Sequence, residues 1–170
     1  MRTLSDNECR AWCSAHSMAV DTDGYPVRTG GGLTTVRAEL PRTHNQLAWF
    51  ARLIEATLQP RHRLLLWVTQ CGVWPSSENW HLYYRLRETY GDHRLIDEAP
   101  GHLFLEYESA DVVSFVEVGL LSGWDMHLVP SFGYGLVFVS HDEWVDFALQ
   151  QAEATDLLTT LEKAQITVVR

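Results

Sequence analysis

The chain has 170 residues, 46% of them hydrophobic and 21% charged, with a formal net charge of −9. That length suffices for one ordinary core rather than two, and the composition excludes a disordered polymer. No apolar run approaches the roughly 20 residues a bilayer-crossing helix needs, and the polar start "MRTLSDNECRAW" lacks a secretory leader's apolar centre, so a soluble cytoplasmic protein is expected.

Two capping boxes mark helix starts. Ser5-Asp6-Asn7-Glu8 and Thr43-His44-Asn45-Gln46 fit the S/T-x-x-E/Q spacing, predicting helices over about 6–18 and 44–58. The second carries Leu47, Phe50, Leu53, Ile54 and Leu58 at helical spacing and stops before Pro60. Between them, Tyr25–Arg28 and Leu33–Leu40 read as a hairpin turned at Gly30-Gly31-Gly32. "RLLLWVTQCGVW" is an apolar run of strand length, expected at the centre of a sheet. A helix is predicted after Pro75, burying Trp80, Tyr83, Tyr84, Leu86 and Tyr90. "GHLFLEYE" reads as a strand and "SADVVSFVEVGLLSG" as a buried helix opening at Ser109. Trp124–Pro130 and Leu136–Ser140 pair around "SFGYG", a last helix runs from His141 to about Lys163, and "ITVV" adds an edge strand. The expectation is a single α+β domain spanning 1–170: a mixed or antiparallel sheet, two hairpins and about five helices.

Charge is unevenly placed. Up to Arg94 the chain holds 11 basic and 9 acidic residues, a local +2; beyond it stand 13 acids against Lys163 and Arg170, a local −11. Between Leu95 and Glu162 there is no Lys or Arg. That half argues against nucleic acid and anionic membrane as its ligand, since both require basic footprints, and favours a basic partner; the alternative is a solvated acidic surface that serves solubility.

Several residues have the chemistry of a site. Centring the second hairpin on Gly133 sets Asp125 opposite His141, His127 opposite Val139 and Val129 opposite Val137. Asp125, His127 and His141 then share one face, a conceivable metal or acid–base cluster; the alternative is a structural pair holding a strand end. Cys9, Cys13 and His16 share a helical face but lack a fourth zinc ligand, so buried thiols are expected. Asp21, Asp23 and Gly24 echo a calcium loop without its remaining ligands, and Cys71 has no base nearby in sequence. Ser140-His141-Asp142-Glu143 looks catalytic, yet reads as a third S-x-x-E cap, with Val139 and Trp144 as its hydrophobic staple.

In "VWPSSENWHLYYRLRETYGD", "APGHLFLEYESADVVSFVEV" and "GWDMHLV…VFVSHDEW" the chain resembles bacterial immunity proteins of polymorphic-toxin and type VI secretion systems. The resemblance implies an acidic, cytoplasmic, non-enzymatic α+β protein, without cofactor, that plugs a cognate toxin. On that reading Asp97, Glu98, Glu106, Glu108, Asp111 and Asp125 are the expected partner-binding carboxylates, with exposed Trp or Tyr as anchors. The competing expectation is an enzyme centred on Asp125, His127 and His141. A homodimer burying aromatic surface is the third.

Overall fold

Ser5 opens the first helix as its spacing predicts: its hydroxyl accepts from the Glu8 amide at 3.4 Å, and Glu8 Oε2 accepts from the Ser5 amide at 2.8 Å. This reciprocal cap starts α1 (Asp6–Ala15). Thr43 caps α2 (His44–Thr57) without the reciprocal half: its hydroxyl accepts from the Gln46 amide at 3.4 Å and donates to Gln46 Oε1 at 2.8 Å. The computed structural model describes residues 1–28, 32–59, 61–73, 80–131 and 135–169. The other helices are α3 (Trp80–Glu88), α4 (Ser109–Ser122) and α5 (Gln151–Lys163). No helix among the described residues is long and apolar enough to cross a membrane.

The strands are β1 (Arg2–Leu4), β2 (Met18–Val20), β3 (Pro26–Arg28), β4 (Thr34–Glu39), β5 (Arg63–Gln70), β6 (Gly101–Leu105), β7 (Asp125–Pro130), β8 (Leu136–Ser140), β9 (Trp144–Leu149) and β10 (Val168–Val169). Eight form one sheet in the order β1-β6-β5-β7-β8-β9-β4-β10, every pairing antiparallel, while β2 and β3 form a separate ribbon. The fold is α+β. As its apolar run implies, β5 is interior, with Leu64 to Val68 buried. One sheet face, through Val36, Leu64, Leu66, Phe104, Met126, Leu128, Val137 and Phe147, packs on the main core with α2, α3, α4 and α5. The other face, through Leu65, Trp67, Leu103 and Val129, packs under α1 with Leu4, Cys9, Trp12 and Cys13.

At Gly101, α1 and the sheet come closest: a Cβ there would stand 2.2 Å from Cys9 Sγ and 3.0 Å from Leu4 Cβ. Only a residue without a side chain lets this layer close.

Three expectations are corrected. First, β3 pairs with β2, not with β4. Asp21 makes that ribbon's turn, its Oδ1 accepting from the amides of Asp23 at 3.0 Å and Tyr25 at 2.8 Å, so the ribbon closes on itself. β4 is left to pair with β9 and β10; the 29–31 segment of the expected glycine turn lies outside the described residues. Second, Ser140 does not cap a helix. Trp144–Leu149 alternates, with Val145, Phe147 and Leu149 buried and the residues between half-exposed, so β-periodicity wins. Residues 141–143 form a tight turn in which the Glu143 amide donates to the Ser140 carbonyl at 3.2 Å and Glu143 takes a left-handed φ of 65°. The helix begins later, where Glu153 Oε2 accepts from the Gln150 amide at 3.1 Å. Third, the β7–β8 register is one residue off the expected one: His127 faces Phe138 and Met126 faces Val139. The turn at 132–134 that would set it lies outside the described residues.

Candidate functional site

Antiparallel winding gathers distant turns at each end of the sheet. At the end marked by the last residue of β5 lie the start of β6, the start of β7 and the β8–β9 turn. Asp97 and Glu98 sit in the turn before β6; Asp142 and Glu143 sit in the β8–β9 turn; all four are exposed. The β2–β3 ribbon brings Asp21 and Asp23, also exposed, to the same end, where Asp23 and Asp97 line one cavity. Beside Asp97 and Glu98, Leu95 stands 58% exposed, and Glu98 Oε2 fixes this turn by accepting from the Leu95 amide at 2.9 Å. Arg10, held by Asp6, and exposed Arg42 are the bases lining the cavities here.

Two half-buried groups lie close to these carboxylates. Burial, and then the charges of Asp125, Asp23 and Asp21, raise the Tyr25 phenol above its ordinary range. Burial and then Asp97 raise the Cys71 thiol, whose Sγ lies 3.9 Å from Asp97 Oδ1.

The six carboxylates expected to bind a partner do not form one patch. Glu106, Glu108 and Asp111 lie at the opposite end, across the eight residues of β5, a span of roughly 26 Å at about 3.3 Å per residue. There Glu106 Oε2 is 3.7 Å from His62 Nδ1. Glu108 is buried, taking the Leu105 amide at 2.8 Å and the amino group of Met1. Asp111 is half-buried and hydrogen-bonded by the Tyr90 phenol. Asp125 is at the acidic end but turned inward, 2% exposed. Of the six, Asp97 and Glu98 are both exposed and at the acidic end. Asp21, Asp23, Asp142 and Glu143 join them; in the sequence these read as a partial calcium loop and a helix cap.

Asp125 and His141 do meet, despite the shifted register, because His141 lies beyond the strand and folds back. Asp125 Oδ1 accepts from the His141 backbone amide at 2.7 Å and stands 2.8 Å from its ring Nδ1. His127 is not drawn into that pair. Its ring stacks on Phe138 at 4.5 Å, with Tyr25 at 5.1 Å and Thr69 Oγ1 3.5 Å from Nδ1. Burial holds it neutral, with a pKa of about 3. Among the described residues no group of three His, Cys, Asp or Glu side chains is arranged to hold a metal. Cys9 and Cys13 are fully buried, their thiols pushed up by desolvation, and His16 Nδ1 bonds the Trp12 carbonyl at 2.7 Å.

His141 also borders a cavity of about 600 Å³ between the last turn of α4 and the start of α2, where Leu40, Leu47, Leu120 and Val139 mix with Arg42, Ser140 and Glu143. Comparisons with protein-family models, with curated proteins and with solved structures give no match.

Proposed function

We propose that this chain is a non-enzymatic binding protein, an immunity protein that neutralises a cognate toxin by setting the acidic end of its sheet against a basic surface. One observation carries the reading: six exposed carboxylates from three separate turns, Asp21, Asp23, Asp97, Glu98, Asp142 and Glu143, converge on one end of the sheet. Rigid strands hold those turns, so the field is preorganised. Charges so placed steer a basic partner and make association salt-sensitive, while exposed Leu95 offers apolar contact beside them.

The Asp125–His141 pair is read as a clamp on the 141–143 turn. The same carboxylate oxygen takes both the backbone amide and the ring nitrogen of one residue, which ties the turn to β7. An acid–base enzyme here would lose its activity in His141→Ala; a clamp loses only turn stability.

The test is protection. Cells carrying this chain survive expression of the cognate toxin, and a chain with Glu98, Asp142 and Glu143 all replaced by lysine stays folded but fails to protect. Unchanged protection by that triple variant would overturn the reading.

A further inference from the structure

We propose that the cavity between α1, the β2–β3 turn and the ends of β5 and β6 receives one arginine side chain of the basic partner. For the partner's class the inference rests on the reading above; for the site it stands on the cavity's own chemistry.

The cavity measures about 580 Å³, inside the usual range of ligand pockets, about 300–1,000 Å³. Its lining includes half-buried Tyr25 and Trp67, the latter 1% exposed with Arg10 over its ring, and Thr69 and Gln70 add polar groups. Three carboxylates border it, Asp6, Asp23 and Asp97, against the single guanidinium of Arg10. Arg10 shows what the walls accept. Its Cζ lies 5.5 Å from the centre of the Trp67 ring while its Nε donates to Asp6 Oδ2 at 2.7 Å. A guanidinium from within the chain therefore already uses one aromatic wall and one carboxylate. Asp23 and Asp97 belong to no ion pair among the described residues. Three carboxylates against one guanidinium leave the lining at a net −2, which favours a cationic side chain.

The geometry favours arginine over lysine. A planar guanidinium stacks on an aromatic face and forks onto a carboxylate, whereas an ammonium acts as a compact, strongly hydrated point charge. Tyr25 and Cys71, which both line the cavity, have their pKa raised first by burial and then by the nearby carboxylates, Asp97 for Cys71 and Asp125, Asp23 and Asp21 for Tyr25.

The experiment uses the full chain, ¹⁵N-labelled, titrated with N-acetyl-arginine amide and, separately, with the uncharged N-acetyl-citrulline amide. The expected result is saturable shifts at Trp67, Thr69, Gln70 and Cys71 with the arginine compound and none with citrulline. The double variant Asp23→Asn/Asp97→Asn should bind at least about five-fold more weakly while its remaining spectrum is unchanged. Non-saturating shifts, equal response to citrulline, or unweakened binding by the double variant would overturn the proposal; N-acetyl-lysine amide binding as tightly as arginine would overturn its choice of cation. The two readings separate cleanly. If the lysine triple variant loses protection while the double variant keeps both protection and the arginine shifts, the cavity falls alone. If arginine binds as expected while the triple variant still protects, the acidic-end reading falls alone.

Discussion

The two ends of the sheet are built from the same strands and handle charge in opposite ways. At the end holding Arg63 and Leu105, acids are matched or withdrawn: Arg61 is buried against Glu55 at 2.7 Å, His62 faces Glu106, and Glu108 is turned inward. At the other end, Asp21, Asp23, Asp97, Glu98, Asp142 and Glu143 are all exposed, against Arg10 and Arg42 bordering its cavities and Arg94, which is paired with Asp92 and also feels Glu98. A folded surface with no task gains from mixing its signs. An end kept more acidic than the other is what the proposed site for a basic partner would need.

The scaffold under the acidic end gives the largest expected effect. Gly101→Ala forces a Cβ into the space of Cys9 Sγ and Leu4 Cβ and should cost about 3 kcal/mol in chemical denaturation, near the upper limit usual for overpacking. A cost below about 0.5 kcal/mol would mean that α1 is not seated on β6 as described. Asp125→Asn comes next. It weakens two bonds to His141 and should cost about 2 kcal/mol, with faster hydrogen exchange at the His141 amide. Stability lost without that faster exchange would separate Asp125 from the turn.

Acid should weaken the protein through its buried imidazoles. Burial keeps His127 neutral; burial, assisted by the Arg87 charge, does the same for His102, each with a pKa of about 3. Unfolded histidine titrates near about 6.5, so the contribution is complete above that pH and is lost as pH falls from there toward 3. His127→Phe should therefore lose less stability between pH 7 and pH 4 than the native chain does. An equal or steeper loss would contradict the neutral assignment.

The smallest effect has the opposite sign. Glu143 holds a left-handed φ of 65°, so Glu143→Gly should raise stability by about 0.5–1 kcal/mol while removing one rim carboxylate. More stability with less binding would show directly that this residue serves the rim rather than the fold.

Local signals in the sequence carried over to the structure. The Ser5 and Thr43 caps, the interior β5 run, the buried α4 helix and the β10 edge were all legible, because each depends on neighbours within one turn or one strand. Ser140-His141-Asp142-Glu143 was not, because the same four residues suit a helix cap and a tight hairpin turn. The alternation of Trp144–Leu149 decides between them, and it was legible all along. The charge asymmetry was legible as a total and not as a place. Asp97 and Glu106 are close in sequence but at opposite ends of β6, while Asp23 and Asp97 border one cavity from 74 positions apart. Only the strand order says so.

The most direct measurement is the association rate with the proposed toxin partner across ionic strength, for one lysine-reversal set at each end of the sheet. Replacing Glu98, Asp142 and Glu143 should slow association at least about ten-fold at low salt and flatten its salt dependence, while replacing Glu106 and Asp111 should change it less than about two-fold. If the Glu106/Asp111 set did the damage, or if neither did, the acidic end would not be the binding surface.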